Sequence, residues 1–398
     1  MSNIKINFSQ NCISTFNKDI KLYSYLYSIL SHAYFKLSTN CLTFYLKDDP
    51  GLFSCVYPVD YDGKEIYFSI DYAKWVNALQ KFSSSESGVN LEISDKKNSI
   101  KISTDNSSDE ITLSISKFTK DSSIVAAIES GFDKGHSFKQ DLRLELNDDI
   151  VEDLQLAGSL FNTQGNINSI GVSKDGVIYA DKLIILTTKF KNSLDPKLFS
   201  GNLDNTEERY FYIHQFVLSL INFLYKEDPN IYFSNDYSSI FWHSATKELV
   251  LTSEMRDLVL PSSEDLLNLY PDDSAGIIET DKDSLSESLD FFNGFYEGSP
   301  WKPITFTAVA NKEIVLRYKR PEADLTKTLN GTSDENSTFI LSSDSLKKVI
   351  SRVIDKRDDR SNPLPIEIRF DEEHAGVLFN IGDYCSAFLA KLTDDSEY

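Results

Sequence analysis

The sequence predicts an α+β protein of three tandem domains, each made of two strand–helix–three-strand units. Three observations predict it. The first is length: 398 residues are enough for two to four domains at about 100–200 residues apiece. The second is composition. With 41% hydrophobic and 25% charged residues, the chain is ordinary for a globular protein and too apolar for a disordered one. The third is a repeated order of elements. Six times a short β-rich run leads to a polar cap-like residue, an amphipathic helix and two or three alternating strands, at a spacing of about 65 residues. The repeat is one of pattern, with no register of identical residues.

The elements follow in order. Ile4–Phe8 leads the first unit, and its helix is expected from near Phe16, with Tyr23, Leu26, Tyr27 and Leu30 on the apolar side. Glu65–Ile70 leads the second. Asp71 suits the cap of a helix over Asp71–Ser83, because a short carboxylate satisfies the orphan N–H groups of a first turn. Trp75, Val76, Leu79 and Phe82 keep the helical period there, while Lys74, Asn77 and Lys81 face away. Val89–Ser94, Ser99–Thr104 and Ile111–Ser116 alternate as strands between good turn sequences. Asp141–Leu146 leads the third unit, whose helix starts near Asp148 and buries Ile150, Val151, Leu154, Ala157 and Phe161. Arg209–Ile213 leads the fourth, with Phe216, Val217, Leu220, Ile221 and Leu224 buried on a helix from His214. Gly276–Thr280 leads the fifth, with Leu285, Leu289, Phe292 and Tyr296 on a helix from Lys282. In the sixth, Thr338–Leu341 precedes a cap at Ser342 or Ser343 and the stripe Leu346, Val349, Ile350, Val353 and Ile354. Ile366–Phe370, Gly376–Ile381 and Tyr384–Leu392 close the chain as strands. Pairing adjacent units places domains at 1–125, 126–265 and 266–398. Linkers are expected at Lys120–Ser137 and Val259–Ser274, the second containing the polar run Pro261–Asp265.

Charge and motif content narrow the function. With 40 Lys+Arg against 61 Asp+Glu, the net charge of −21 gives a mean field that repels phosphate. That excludes a general polyanion coat but leaves room for a basic surface confined to one face. Met1–Lys5 lacks a basic-then-apolar pattern, and no run of about 18 apolar residues occurs. The expectation is a protein of the cytoplasm (the host cytoplasm if phage-encoded), with no membrane partner. Cys12, Cys41, Cys55 and Cys385 sit in apolar-alternating runs without CxxC spacing, as packed thiols in a reducing compartment do. Five scattered histidines offer no metal-ligand pairing. Adjacent carboxylates such as Asp148-Asp149, Asp272-Asp273 and Asp394-Asp395 form no acid/base couple. No Walker loop, Rossmann fingerprint, nucleophile elbow or HExxH appears. The expectation is a protein that is not an enzyme, with no catalytic residue, metal or cofactor.

This element order and length resembles the DNA sliding clamps, the bacterial β clamp in particular. The resemblance is clearest over Leu144–Phe190, including Ile170-Gly171-Val172 and Gly176–Leu183, and over Phe339–Leu392. Gly382–Leu392 is similar to the final strand of clamp chains. The resemblance implies clamp domains with helices lining a ring channel and sheets outside, closed as a head-to-tail homodimer around double-stranded DNA. It implies a processivity factor that tethers a replicative DNA polymerase, bacterial or phage in origin. A sliding ring needs a weak, non-specific field toward phosphate and no base readout. The residues suited to supply it are Lys18 and Lys21 on the first helix, Lys74 and Lys81 on the second, and Lys347, Lys348, Arg352 and Lys356 on the sixth. The third helix instead carries Asp148, Asp149, Glu152 and Asp153, and the fifth Asp283, Glu287 and Asp290. These depart from a uniformly basic lining, although early acids also favour helix N-termini.

The same resemblance implies an apolar peptide groove between the middle and last domains, open to the polymerase and to a clamp loader. Its positions here are Ile170, Gly171, Tyr179, Asp181, Lys182 and Leu183, with Phe388, Ala390 and Leu392. The family's Asp-Gly-His-Arg-Leu-like segment is replaced by Ala180–Leu183, and Thr393–Tyr398 adds an acidic extension. A competing reading is a non-enzymatic structural or assembly protein, viral among its sources, with protein partners only. The acidic third and fifth helices are its evidence.

Overall fold

The computed structural model describes residues 3–26, 32–48, 51–83, 88–94, 96–105, 108–138, 142–158, 169–180, 184–190, 192–199, 211–235, 238–252, 268, 270, 275–292, 302–320, 323–352, 361–371, 374–383 and 385–392. Six repeats follow one another. The first is β1 (Ile4–Phe8), α1 (Gln10–Leu26), β2 (His32–Ser38), β3 (Cys41–Asp48) and β4 (Gly51–Pro58). The second is β5 (Ile66–Asp71), α2 (Tyr72–Lys81), β6 (Val89–Ser94), β7 (Ser99–Ser103) and β8 (Glu110–Ser114), with β9 (Ser116–Phe118) added. A helix outside the repeat, α3 (Ser123–His136), comes next. The third is β10 (Arg143–Glu145), α4 (Asp148–Gly158), β11 (Ser169–Val172), β12 (Gly176–Ala180) and β13 (Ile184–Lys189). The fourth is β14 (Phe211–His214), α5 (Gln215–Glu227), β15 (Asn230–Phe233), β16 (Ser239–His243) and β17 (Lys247–Thr252). The fifth is β18 (Gly276–Asp281), α6 (Lys282–Phe292), β19 (Pro303–Ala308), β20 (Ile314–Arg320) and β21 (Ala323–Leu329), with β22 (Gly331–Ser333) added. The sixth is β23 (Ser337–Ser342), α7 (Ser343–Arg352), β24 (Pro365–Phe370), β25 (Gly376–Ile381) and β26 (Cys385–Ala390).

Each leading strand leaves its own repeat and pairs antiparallel with the first strand of the neighbouring triplet. β1 pairs β6, β5 pairs β2, β10 pairs β15, β14 pairs β11, β18 pairs β24 and β23 pairs β19. The exchange couples the repeats two by two. By compactness the chain divides into two units, one of Met1–Leu146, Ser200–Asn202 and Ser219–Met255, the other of Asn147–Phe199, Leu203–Leu218 and Arg256–Tyr398. The first holds a four-stranded sheet, β1-β6-β7-β8, and a nine-stranded sheet, β10-β15-β16-β17-β4-β3-β2-β5-β9. The second holds β21-β20-β19-β23 and β14-β11-β12-β13-β26-β25-β24-β18-β22. Eight of the nine strands arise because β17 continues onto β4, with Lys247 opposite Cys55, and β13 onto β26, with Thr188 opposite Cys385, and β9 and β22 add the ninth. Each junction closes two strand edges that would otherwise offer bare backbone groups.

The helices pack their apolar stripes on these sheets. On α1, Ile13 and Phe16 are buried, and the Phe16 ring meets Phe44, Tyr57 and Trp75 edge-on at 5.7–6.2 Å. Asp71 caps α2 as expected, accepting the Lys74 N–H at 3.0 Å. Two expectations need correction. The first helix starts at Gln10 rather than near Phe16, because the Ser9 hydroxyl accepts the Cys12 N–H at 3.3 Å and caps it. Cys12 is therefore helical; Tyr27 and Leu30 lie outside the described residues. The expected linker Lys120–Ser137 is instead largely α3, capped by Ser122 and burying Val125, Ile128 and Phe132. Its two glycines lower helix propensity, which hides the helix in the sequence. They serve close approach: a Cβ on Gly131 would stand 2.1 Å from Leu52, and one on Gly135 2.6 Å from Phe241. A boundary after residue 125 falls inside this helix. Of the second linker only 268 and 270 are described, and Phe161 and Tyr296 lie outside the described residues.

Candidate nucleic-acid interface and partner groove

Three helices carry the candidate basic residues. On α2 the buried side is Trp75, Ala78 and Leu79, which leaves Lys74 and Lys81 exposed one heptad apart. Lys74 lies 3.5 Å from Asp71, but both are solvated, and such pairs hold little energy. On α1, Lys18 is exposed beside buried Asp19; the Lys21 side chain lies outside the described residues. On α7, Leu346, Val349 and Ile350 face the core and leave Lys347 and Lys348 half-buried. Lys347 Nζ reaches Asp290 of α6 at 2.8 Å, so its charge is partly spent within the chain. The Arg352 side chain and all of Lys356 lie outside the described residues.

The acidic helices read differently in three dimensions. On α4, Asp148 and Glu152 are exposed and Asp149 is half-buried, but Asp153 is 1% exposed. It follows Ile150 by three residues and so shares the inward face. Its charge adds to burial in pushing the Cys385 thiol up to about 12. On α6, Glu287 pairs Lys327 at 3.1 Å and Asp290 pairs Lys347, so two of its three acids are offset.

The candidate groove lies at the β13–β26 junction. Ile184 stands opposite Leu389 and Ile185 opposite Phe388. Because side chains alternate across a strand, Ile184, Leu186, Ala387 and Leu389 fill one face, and Ile185, Phe388 and Ala390 are half-buried on the other. Leu392 is half-buried and pinned by its N–H donating to the Ile340 carbonyl at 2.8 Å. Tyr270 covers part of this face. It is fully buried against Ala275, Leu378, Ile185 and Phe388, and its hydroxyl donates to the Gly376 carbonyl at 2.7 Å. His374 lies against its ring at 4.9 Å and bonds Asp371 through Nδ1 at 2.5 Å. Burial works to raise the Asp371 carboxyl, but His374 and Lys391 outweigh it and hold it below its usual range. Lys391 Nζ donates to the Asp371 and His374 carbonyls at 2.6 and 2.9 Å, locking the last strand to that turn.

Ile170 and Tyr179 are 0% and 2% exposed, so these two expected groove residues are core and have no surface to offer. Gly171 sits in β11 opposite Ile178, and Asp181, Lys182 and Leu183 lie outside the described residues. Sequence reasoning missed Tyr270, Ile185 and Leu378. The available signals were a tyrosine closing the run Leu266, Leu267, Leu269 within the expected linker and the alternation of Ile184–Lys189. Farther along the same face a hollow of about 560 Å³ is lined by Lys189, Glu279, Glu367, Asn380, Asp383 and Ser386. Glu367 accepts from Arg369 Nε at 2.6 Å and from Asn380 at 3.1 Å, and Ser386 donates to Asn380 at 3.0 Å.

No family sequence model matches the chain, and no curated protein sequence does. Solved structures match over its whole length. A putative DNA polymerase III beta subunit from Eubacterium rectale shares 12% identity at a TM-score of 0.71, over 99% of this chain and 100% of that one. The Caulobacter crescentus beta sliding clamp gives 12% and 0.71, over 98% and 100%. The Helicobacter pylori beta clamp, bound to a DNA ligase peptide, gives 13% and 0.66, over 98% and 100%. The chain has the sliding-clamp fold.

In this clamp fold the first junction is built on buried charge. Asp19 of α1 is 1% exposed, and Lys247 of β17 stands 2.9 Å from it and 2.5 Å from Glu227 at the end of α5. Tyr57 donates to Asp19 at 3.2 Å and the Cys55 thiol at 3.6 Å. Burial raises the Asp19 carboxyl, and Lys247 reverses only part of that. For Lys247 burial acts against the charge, but Glu227 and Asp19 outweigh it and hold the ammonium above its usual value. The Asp19–Lys247 pair is buried, and Glu227 joins it from the exposed side. A buried pair of this kind fixes geometry more than it adds stability, and losing one partner strands the other.

Proposed function

We propose that the protein is a DNA sliding clamp, a ring-shaped processivity factor that encircles duplex DNA and tethers a replicative polymerase. The observation that carries this reading is the match of 98–99% of a chain of six exchanged repeats to bacterial beta clamps. The pairwise strand exchange supports three domains near 1–125, 126–265 and 266–398. The chain then closes head-to-tail with a second copy through the outer strands of the two four-stranded sheets, β8 and β21. The action is topological and needs no catalytic group. DNA lies against Lys18, Lys74 and Lys81 of one domain and Lys348 of another, with Lys21, Arg352 and Lys356 as further candidates. The acidic α4 keeps the middle of the channel from gripping phosphate, which suits sliding. Ile185, Phe388, Ala390 and Leu392 receive an apolar anchor from a polymerase or a clamp loader, of the kind that commonly costs about 2 kcal/mol or more when truncated.

Light scattering on a sizing column tests the assembly. The reading requires a particle of twice the 45.2 kDa chain mass, and charged substitutions at Leu325 on β21 must split it. A stable monomer contradicts the ring.

A further inference from the structure

The fold brings two histidines from distant parts of the chain together on the sheet face beneath α3. His136 is the last residue of that helix, and His243 ends β16 directly opposite Glu248 of β17. Opposed residues of an antiparallel pair hold their Cβ atoms about 4.5–5.5 Å apart, so this imidazole and this carboxylate share one spot on the sheet. Glu248 is met from two other sides as well. His136 Nε2 lies 2.8 Å from its Oε1, and the Ser54 hydroxyl of β4 donates to its Oε2 at 3.3 Å. The His136 and His243 ring centres are 6.4 Å apart. The His243 ring stacks on Tyr232 at 13° and on Phe241 at 27°, which fixes its plane.

Imidazole nitrogen and carboxylate oxygen are donors that suit zinc and its neighbours in the first transition row. Two imidazoles on a tetrahedral ion, each nitrogen about 2.0–2.1 Å from it, have ring centres about 5 Å apart. Among the described residues no three such groups already stand close enough to share an ion. This set misses by only about 1 Å, and the His136 side chain, 52% exposed, has room to move that far. An ion there takes the place of the proton held between His136 and Glu248. The surroundings favour a cation twice over. The C-terminal end of α3 carries partial negative charge, and the chain as a whole carries −21.

We infer that His136, His243 and Glu248 bind one divalent transition-metal ion, with zinc the best fit to the donor set. Water completes the coordination, and the Ser54 hydroxyl holds the second oxygen of the carboxylate. The ion clasps the last turn of α3 to β16 and β17. A helix outside the repeat is thereby tied to the sheet it covers, and this holds whether or not the chain is a clamp.

The untagged full chain, stripped with a chelator, is titrated with zinc chloride by calorimetry. Saturable binding of one ion per chain is expected, weakened tenfold or more by His136→Ala and by His243→Gln. Because His243 packs among aromatic rings, the exposed His136 provides the variant that leaves the fold intact. His32→Ala and His374→Ala, which alter histidines elsewhere, should change nothing. Hydrogen exchange gives a second readout: zinc should slow the amides of residues 132–138 in the unaltered chain and not in His136→Ala. No saturable binding, binding that survives His136→Ala, or binding that is lost with His374→Ala instead overturns the inference.

Discussion

At both sheet junctions a helix buries an aspartate beneath the strand pair, Asp19 at the first and Asp153 at the second. At the first, Lys247 meets that acid and Glu227; at the corresponding position of the second stands Cys385. The opposite sheet face differs as well. Docked α3 covers it at the first junction, and among the described residues Tyr270 packs on it at the second. One junction is closed by charge within and a helix without. The other carries a thiol within and, among the described residues, Tyr270 without. A repeated fold can thus keep one register and divide labour between its copies.

The comparison breaks most visibly at Lys247. Replacing it with Met leaves Asp19 buried without its counter-charge and should cost about 3–5 kcal/mol in urea unfolding. Adding Asp19→Leu should restore most of that loss. If Lys247→Met alone is neutral, the buried pair does not hold the junction. Next in size, Phe132→Ala should cost about 3 kcal/mol and raise dye binding, because α3 then leaves Leu52 and Val250 uncovered. Phe388→Ala, from a half-buried site, should cost less than half as much. Equal losses would erase the distinction between the face under α3 and the face under Tyr270.

Titration sharpens the comparison further. Burial pushes both Cys55 and Cys385 up to about 12 from 9.0. A raised folded value means stability present below the unfolded one and lost as pH rises through the folded one. Both junctions should therefore weaken from about pH 9 upward. Above 10.5 the first loses the Lys247 contribution as well. Native-state hydrogen exchange at rising pH should show β4 and β17 opening more steeply than β13 and β26 above that point. The smallest effect belongs to the lysines proposed to face DNA. Lys74→Gln or Lys81→Gln should each lower the salt slope of DNA binding by about one. Lys347→Gln should lower it less, since Asp290 already holds that ammonium.

Much of this was legible in the chain. Asp71 capping, the Trp75–Leu79 stripe and the Leu346–Ile350 stripe are local, and period and cap chemistry report them directly. The strand exchange was not, because nothing in Ile4–Phe8 says which triplet it will join. Asp153 was misassigned to a solvated face because its letter outweighed its phase: three residues from Ile150, it points inward. The helix α3 was read as a linker because Gly131 and Gly135 look like loop residues until Leu52 and Phe241 are seen against them. Tyr270 was missed for the same reason, its meaning residing in Leu378 and Phe388, more than a hundred residues away.

The central claim is encirclement, and topology tests it most directly. The chain is incubated with nicked circular duplex at a dilution that lets dimers exchange subunits, then concentrated and passed down a sizing column. Half the DNA-bound fraction is next cut once with a restriction enzyme. A clamp remains with the circle through moderate salt and slides off the linear form, so protein co-eluting with DNA falls sharply on cutting. Equal loss from circular and linear DNA, or equal retention on both, contradicts the account.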